Sequence, residues 1–238
     1  MITLAIDTSE SRGSVALLRA DEAIGAAAHT DGSDYSEWLL VAVEALIRSS
    51  GANWQRVELL AVATGPGSFT GVRVGLTAVK GWGEVYGVPV VGVSRLEAVA
   101  RSAQVASGMI AACYDAQRGQ VFGALYEAVD GRIARVGNEL VIQPEGLLEL
   151  AAKEARGEAI HWISLDPQLI TGLDGWKERE KAGDSMQTAP TELAKMVGII
   201  AQDRAKRGEF SDIVELDANY VRRSDAEIFW KGPAANVR

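Results

Sequence analysis

The sequence predicts an α/β fold with at least part of its sheet parallel, arranged as two lobes of related topology. Three observations carry this. Between residues 59 and 105, short apolar runs of strand type alternate with longer segments of helical periodicity, the pattern of helices laid on a partly parallel sheet. Ile6-Asp7 followed by Arg12-Gly13-Ser14-Val15 has a faint echo in Tyr114-Asp115 followed by Arg118-Gly119-Gln120-Val121, and the order of expected elements repeats after it. A chain of 238 residues makes one large domain or two small ones, and is long enough to bury a core without covalent staples. The expected division is an N-terminal lobe over 1–105, with 217–238 packing back on it, and a C-terminal lobe over 106–216.

The elements follow in order. Ile2 to Asp7 is a β-prone run, residues 8–13 are rich in turn formers, and Ser14 to Leu18 resumes the apolar pattern, which predicts a hairpin; a third strand is expected near Ala23 to His29. A helix from Tyr35 to Ser50 stops before Gly51 and is apolar nearly all round, with Trp38, Leu39, Val43 and Leu46 among its apolar residues. Such a helix is either sandwiched inside the fold or offers a second face to another chain. Leu59 to Thr64 reads as a buried strand, Thr70 to Val85 as a helix, Val88 to Val93 as a strand and Ser94 to Val105 as a helix. In the second half, strands are expected at Val121 to Tyr126, Arg132 to Ile142 and Ala159 to Leu165, with a helix at Pro144 to Ala155. Gly172 to Ala189 is polar and reads as a surface loop. A last helix starts near Pro190-Thr191 and stops at Gly208, and the tail after Tyr220 is locally basic and expected to fray at 232–235.

Composition removes several function classes. One cysteine, Cys113, excludes a disulfide framework and points to a reducing cytoplasm, where it reads as a small buried residue. Two distant histidines, His29 and His161, give no metal-binding spacing, so no metal site is expected. No apolar run approaches the ~20 residues that span a bilayer, and the N-terminus lacks the basic start of a signal peptide. A net charge of -8 argues against broad attraction to nucleic acid.

Two segments carry candidate chemistry. Gly65-Pro66-Gly67-Ser68-Phe69-Thr70-Gly71 joins a strand to a helix, where backbone N–H groups and the helix dipole can hold an anion, with Ser68 or Thr70 as N-cap. It fits neither the P-loop nor G-x-G-x-x-G, and a purely structural turn accounts for it equally well. In the helix that follows, Gly71, Gly75, Ala78 and Gly81 lie near one stripe beside Val72, Leu76 and Val79. Each glycine costs roughly 1 kcal/mol in a helix interior, so the stripe implies close approach of another backbone, from this chain or a partner. Asp7-Thr8-Ser9 at the hairpin turn can offer a carboxylate to Mg²⁺ and hydroxyls to phosphate, or merely close the turn. A Ser-His-Asp triad finds no G-x-S-x-G elbow.

Read together, Leu4 to Ser9 with Ser14 to Leu17, the run Gly65 to Leu76, Val93-Ser94-Arg95-Leu96, Asp115 to Val121 and Tyr220-Val221-Arg222 resemble the TsaB (YeaZ) family of bacterial tRNA threonylcarbamoyladenosine biosynthesis proteins, in the same order from end to end. The resemblance implies the actin/Hsp70/sugar-kinase-like (ASKHA) fold, a nucleotide cleft between the lobes, and paralogy to the catalytic subunit TsaD. It implies a non-catalytic role as binding partner of TsaD with the ATPase TsaE in N6-threonylcarbamoylation of the adenosine beside the anticodon, tRNA being met only through the complex. A homodimer is implied when the chain is alone. No catalytic residue is implied in this chain, and ATP or ADP enters only at the complex. Candidate nucleotide or anion ligands are Asp7, Thr8, Ser9, Gly65, Gly67, Ser68 and Thr70. The family's contact helices correspond to 35–50 and 70–85, which makes Trp38, Leu39, Val43, Leu46, Gly71, Val72, Gly75, Leu76 and Val79 the expected partner interface. Tyr35-Ser36-Glu37 stands where relatives often carry histidine, so no role of that histidine transfers. The TsaD H-x-x-x-H pair has no counterpart, and the superfamily's older glycoprotease label gains no support.

Overall fold

The computed structural model describes residues 1–30 and 32–221. Two five-stranded sheets have one and the same topology. In the first, β1 (Ile2–Asp7), β2 (Ser14–Arg19) and β3 (Glu22–Ala28) form an antiparallel meander, and β4 (Leu59–Ala63) and β5 (Val90–Val93) add parallel strands on the other side of β1, giving the order β3-β2-β1-β4-β5. The second repeats this with β6 (Gly108–Asp115), β7 (Val121–Val129), β8 (Arg132–Ile142), β9 (Ile160–Ser164) and β10 (Ser185–Thr188), in the order β8-β7-β6-β9-β10. The echo of Ile6-Asp7 in Tyr114-Asp115 is therefore the echo of β1 in β6.

Helices follow the same duplication. α1 (Tyr35–Ser49) and α2 (Phe69–Tyr86) cover the outer face of the first sheet, where Leu4, Ile6, Val15 and Leu17 meet Leu39, Val43, Leu46, Leu76 and Val79. α4 (Pro144–Glu154), the single-turn α5 (Gln168–Thr171) and α6 (Trp176–Lys181) cover the outer face of the second, around Trp162 and Trp176. Between the sheets lie α3 (Arg95–Ser102) and α7 (Ala194–Lys206), and these two are exchanged. α3 follows β5 yet packs on β6 to β9, whereas α7 follows β10 yet packs across β1, β2, β4 and β5. Gln202 donates to the Thr3 hydroxyl (2.9 Å) and the Ala194 N–H to the Ser14 hydroxyl (3.1 Å), both buried. The central core, from Ala5 and Leu18 through Leu96, Val99, Val197 and Ala201 to Ile110 and Tyr126, is thus shared by both sheets.

The polar stretch 172–189 is not a plain loop. It contains α6 and the edge strand β10, because Asp184, buried, accepts from Ile160 N (2.9 Å), Trp162 Nε1 (2.9 Å) and Arg179 Nε and Nη2 (2.9 and 2.8 Å), which fastens a polar sequence onto β9. Residues 209–221 return to the first sheet: Ser211 bridges Val90, Asn219 N donates to Thr64 O (2.8 Å), and Ile213 and Leu216 pack behind α2 and β5. The expectations for Arg222 and for residues 232–235 lie outside the described residues. Cys113 is buried at the centre of β6, and burial pushes its thiol up to about 12.

Candidate functional site

The C-terminal ends of β1, β4 and β6 meet between the lobes, and the glycine-rich turn closes on the first of them. Ser68 N donates to Ser9 O (2.7 Å), and the Thr8 hydroxyl donates to Gly71 O (2.7 Å). A Cβ at Gly67 would stand 2.2 Å from Ser9 O, at Gly71 2.1 Å from Thr8 O, and at Gly75 2.6 Å from the Thr8 hydroxyl. Those glycines are thus required by the approach of the β1–β2 turn of this same chain. The glycine stripe is an intrachain contact at Gly71 and Gly75 only; Gly81 faces open space. Ser68 caps α2 by accepting from Gly71 N (3.3 Å), while Ser68 and Thr70 are exposed.

Asp7 is buried and its two oxygens are both engaged. Oδ1 accepts from Ser9 N (2.9 Å), an Asx turn, and Oδ2 pairs with Arg95 Nε (3.1 Å). Arg95, at the start of α3, is 1% exposed; its N–H donates to Gly65 O (2.7 Å) and its guanidinium lies 4.6 Å above the Tyr114 ring. Tyr114 donates to Pro66 O (2.9 Å), across the cis Gly65–Pro66 bond. Burial works against the Arg95 charge, and the neighbouring Asp7, Tyr114 and Glu10 outweigh it, so the guanidinium is held more firmly protonated than usual. Glu10 Oε1 stands 3.8 Å from Arg95 Nη1, and burial raises the Glu10 carboxyl against the pull of Arg95. Both Asp7 oxygens are engaged by the chain itself, whereas the buried Ser9 hydroxyl and Arg95 Nη1 beside them have no hydrogen-bond partner among the described residues. Arg95, Glu10 and Tyr114 were not among the expected site residues. The available signal was an arginine between Val93 and Leu96, where the apolar neighbours leave its side chain little but the interior.

Tyr35 has a structural task. Its hydroxyl accepts from Gly13 N (2.6 Å) and donates to Glu10 O, tying α1 to the β1–β2 turn, and burial pushes its phenol up to about 12. His29, buried, packs against it with ring centroids 4.4 Å apart and planes tilted by 36°.

The expected partner face is corrected by burial. Leu39, Val43, Leu46, Gly71, Val72, Gly75, Leu76 and Val79 fill this chain's own core and Trp38 is half-buried against it. What α1 and α2 turn outward is a different row: Leu40 (56% exposed), Val41 (69%) and Phe69 (43%), with Arg73, Val74 and Thr77 beside them. Between the two helices Leu40, Phe69, Arg73, Val74 and Thr77 edge a mostly apolar groove of about 570 Å³. The Arg73 guanidinium lies 3.8 Å over the Phe69 ring and its Nε donates to the Tyr220 hydroxyl (2.8 Å).

Comparison with known proteins agrees with this architecture. The family model described as TsaD, tRNA N6-adenosine threonylcarbamoyltransferase, matches residues 30–169. A structure from Pseudomonas aeruginosa, described as similar to peptidase YEAZ, superimposes with a TM-score of 0.72 at 25% identity, over 93% of this chain and 99% of that one. A ROK hexokinase from Thermus thermophilus, at 12% identity and a TM-score of 0.54 over 87% of this chain and 100% of its own, shares the two-lobed ASKHA fold. The tRNA threonylcarbamoyladenosine biosynthesis protein TsaB of Escherichia coli K12 is 30% identical over 76% of each chain, and that of Bacillus subtilis 168 is 31% identical over 97% of this chain and 98% of its own. Identity at that level along nearly the whole of both sequences, on the same duplicated fold, means that the chain belongs to the TsaB (YeaZ) family.

Proposed function

We propose that this chain is a non-catalytic subunit in N6-threonylcarbamoylation of tRNA adenosine, a binding partner of TsaD acting with TsaE. One observation carries the non-catalytic reading: the cleft carboxylate, Asp7, is neutralised by the buried guanidinium of Arg95. A carboxylate committed in this way is a poor metal ligand or base, because withdrawing it strands a buried charge. The partner docks on the apolar groove between α1 and α2, whose outer row has no cover among the described residues, and the same face serves a homodimer when the chain is alone.

The test is reconstitution with purified TsaD, TsaE and tRNA. Wild-type chain is expected to restore modification, with no nucleotide turnover of its own. Leu40→Asp, on the exposed row, abolishes co-elution with TsaD on size exclusion and leaves the circular dichroism of the lone chain unchanged, whereas Leu39→Asp would unfold it. Retained co-elution sinks the interface. Nucleotide turnover by the purified lone chain establishes instead an independent ATP-dependent enzyme.

A further inference from the structure

On the opposite side of α3 from the Asp7 cleft, a polar cavity of about 460 Å³ opens between α3, α7, β7 and β8. Local structure builds it. β8 places three residues, 137–139, opposite the single Ala124 of β7, between the pairs Leu125–Val136 and Gly123–Leu140. Gly137 takes φ +73° there, and the bulge turns Glu139 inward until its side chain is 4% exposed. Glu139 accepts from Ser94 Oγ (2.5 Å) and from Asn219 Nδ2, which fixes it.

Three guanidinium groups, Arg135, Arg204 and Arg207, share the walls with three carboxylates, Glu97, Glu139 and Glu209. Arg204 is committed to Glu97 Oε2 (2.5 Å) and Gly92 O (2.6 Å), and Arg207 forks onto Glu209 (2.7 and 2.9 Å). Arg135, half-exposed, gives one nitrogen to Glu139 at 3.3 Å. Tyr126 is different. It is 2% exposed, it lines the cavity, and its hydroxyl has no hydrogen-bond partner among the described residues. Buried hydroxyls are ordinarily paired, so an orphan facing a cavity points to a ligand acceptor. Burial also raises the Glu97 carboxyl, despite Arg204, so an added cation beside it is favoured.

We propose that this cavity binds a small zwitterion of the α-amino-acid class, its carboxylate received by the Tyr126 hydroxyl and Arg135 and its ammonium by Glu97. Charge balance selects the class. A plain anion is repelled by three carboxylates and a plain cation by three guanidinium groups; a molecule bearing both charges a few ångströms apart gains from both sets. The polar walls also disfavour an apolar ligand.

The experiment titrates the full chain with each standard L-amino acid at millimolar concentration, by calorimetry and thermal shift, with inorganic phosphate and spermidine as separate anion and cation arms. At least one amino acid is expected to bind saturably, and Tyr126→Phe, which keeps the ring, is expected to weaken it about tenfold or more. Arg135→Gln, at a half-exposed position, is expected to weaken it as well. Binding of no amino acid, equal binding by wild type and Arg135→Gln, or saturable binding of phosphate or spermidine alone would each overturn the proposal. Should Tyr126→Phe lose its native circular dichroism, Arg135→Gln decides.

Discussion

Asp7 shows how far a residue's role depends on a partner that sequence cannot point to. Its place after a β-strand, followed by two hydroxyl residues, is equally suited to holding a metal and to closing a turn, and nothing local distinguishes them. The deciding group is Arg95, 88 positions away. Because both side chains are buried, the pair is asymmetric in its consequences: removing one partner leaves an uncompensated charge, while replacing both removes the penalty as well. Asp7→Ala is expected to destabilise the chain by about 3–5 kcal/mol. Adding Arg95→Met to Asp7→Asn, which keeps the Ser9 N–H acceptor, should recover most of that. Urea unfolding at unchanged m-value measures both, and equal stability of Asp7→Ala and wild type would show the ion pair to be incidental.

At the scale of elements, the glycines of α2 separate two reasons for a costly residue. Gly71→Ala drives a methyl group to 2.1 Å from the Thr8 carbonyl, a backbone atom that cannot swing away, so the strain overrides the gain in helix propensity and costs at least about 1–3 kcal/mol. Gly81→Ala meets nothing within 4 Å and should stabilise by about 0.5–1 kcal/mol. Thermal unfolding of the two variants is expected to shift in opposite directions; a common sign would refute this reading of α2. The long helices were legible because they carry strong periods: α1 runs from Tyr35 to Ser49, within a residue of the expected span, whereas β6, central in the second sheet, was reached only through the echo at Tyr114-Asp115. β10 was not, since Ser185-Met186-Gln187-Thr188 is a short, exposed edge whose place is fixed by Asp184 and the neighbouring β9 rather than by apolar content. The outward and inward rows of α1 were also unresolved by pattern, because a helix apolar all round gives no preferred face; burial divides Leu39 from Leu40.

For the whole molecule, duplication was legible from one weak echo and the order of elements, but the exchange of α3 and α7 was not. Each helix has the apolar stripe that either sheet would accept, so nothing in its own residues names the sheet. The expected boundary at 105 therefore cuts through a shared core. A fragment of residues 1–105 lacks α7, the cover of the inner face of β1, β2, β4 and β5. It is expected to be molten or aggregated, seen as lost near-ultraviolet circular dichroism and poor amide dispersion; a well-dispersed spectrum would show that the first lobe is self-sufficient.

That exchange also sets a schedule for the chain as it is made. β5 ends at Val93 and α7 begins at Ala194, so the first sheet leaves the ribosome about 100 residues before the helix that seals it. At roughly 5–20 residues per second, its apolar inner face waits some 5–20 s, uncovered, for α7 to be made. For those seconds the nascent chain presents Ala5, Leu18, Leu59 and Val91 to whatever holds unfinished proteins, and the lobe that is synthesised first is the one that is completed last.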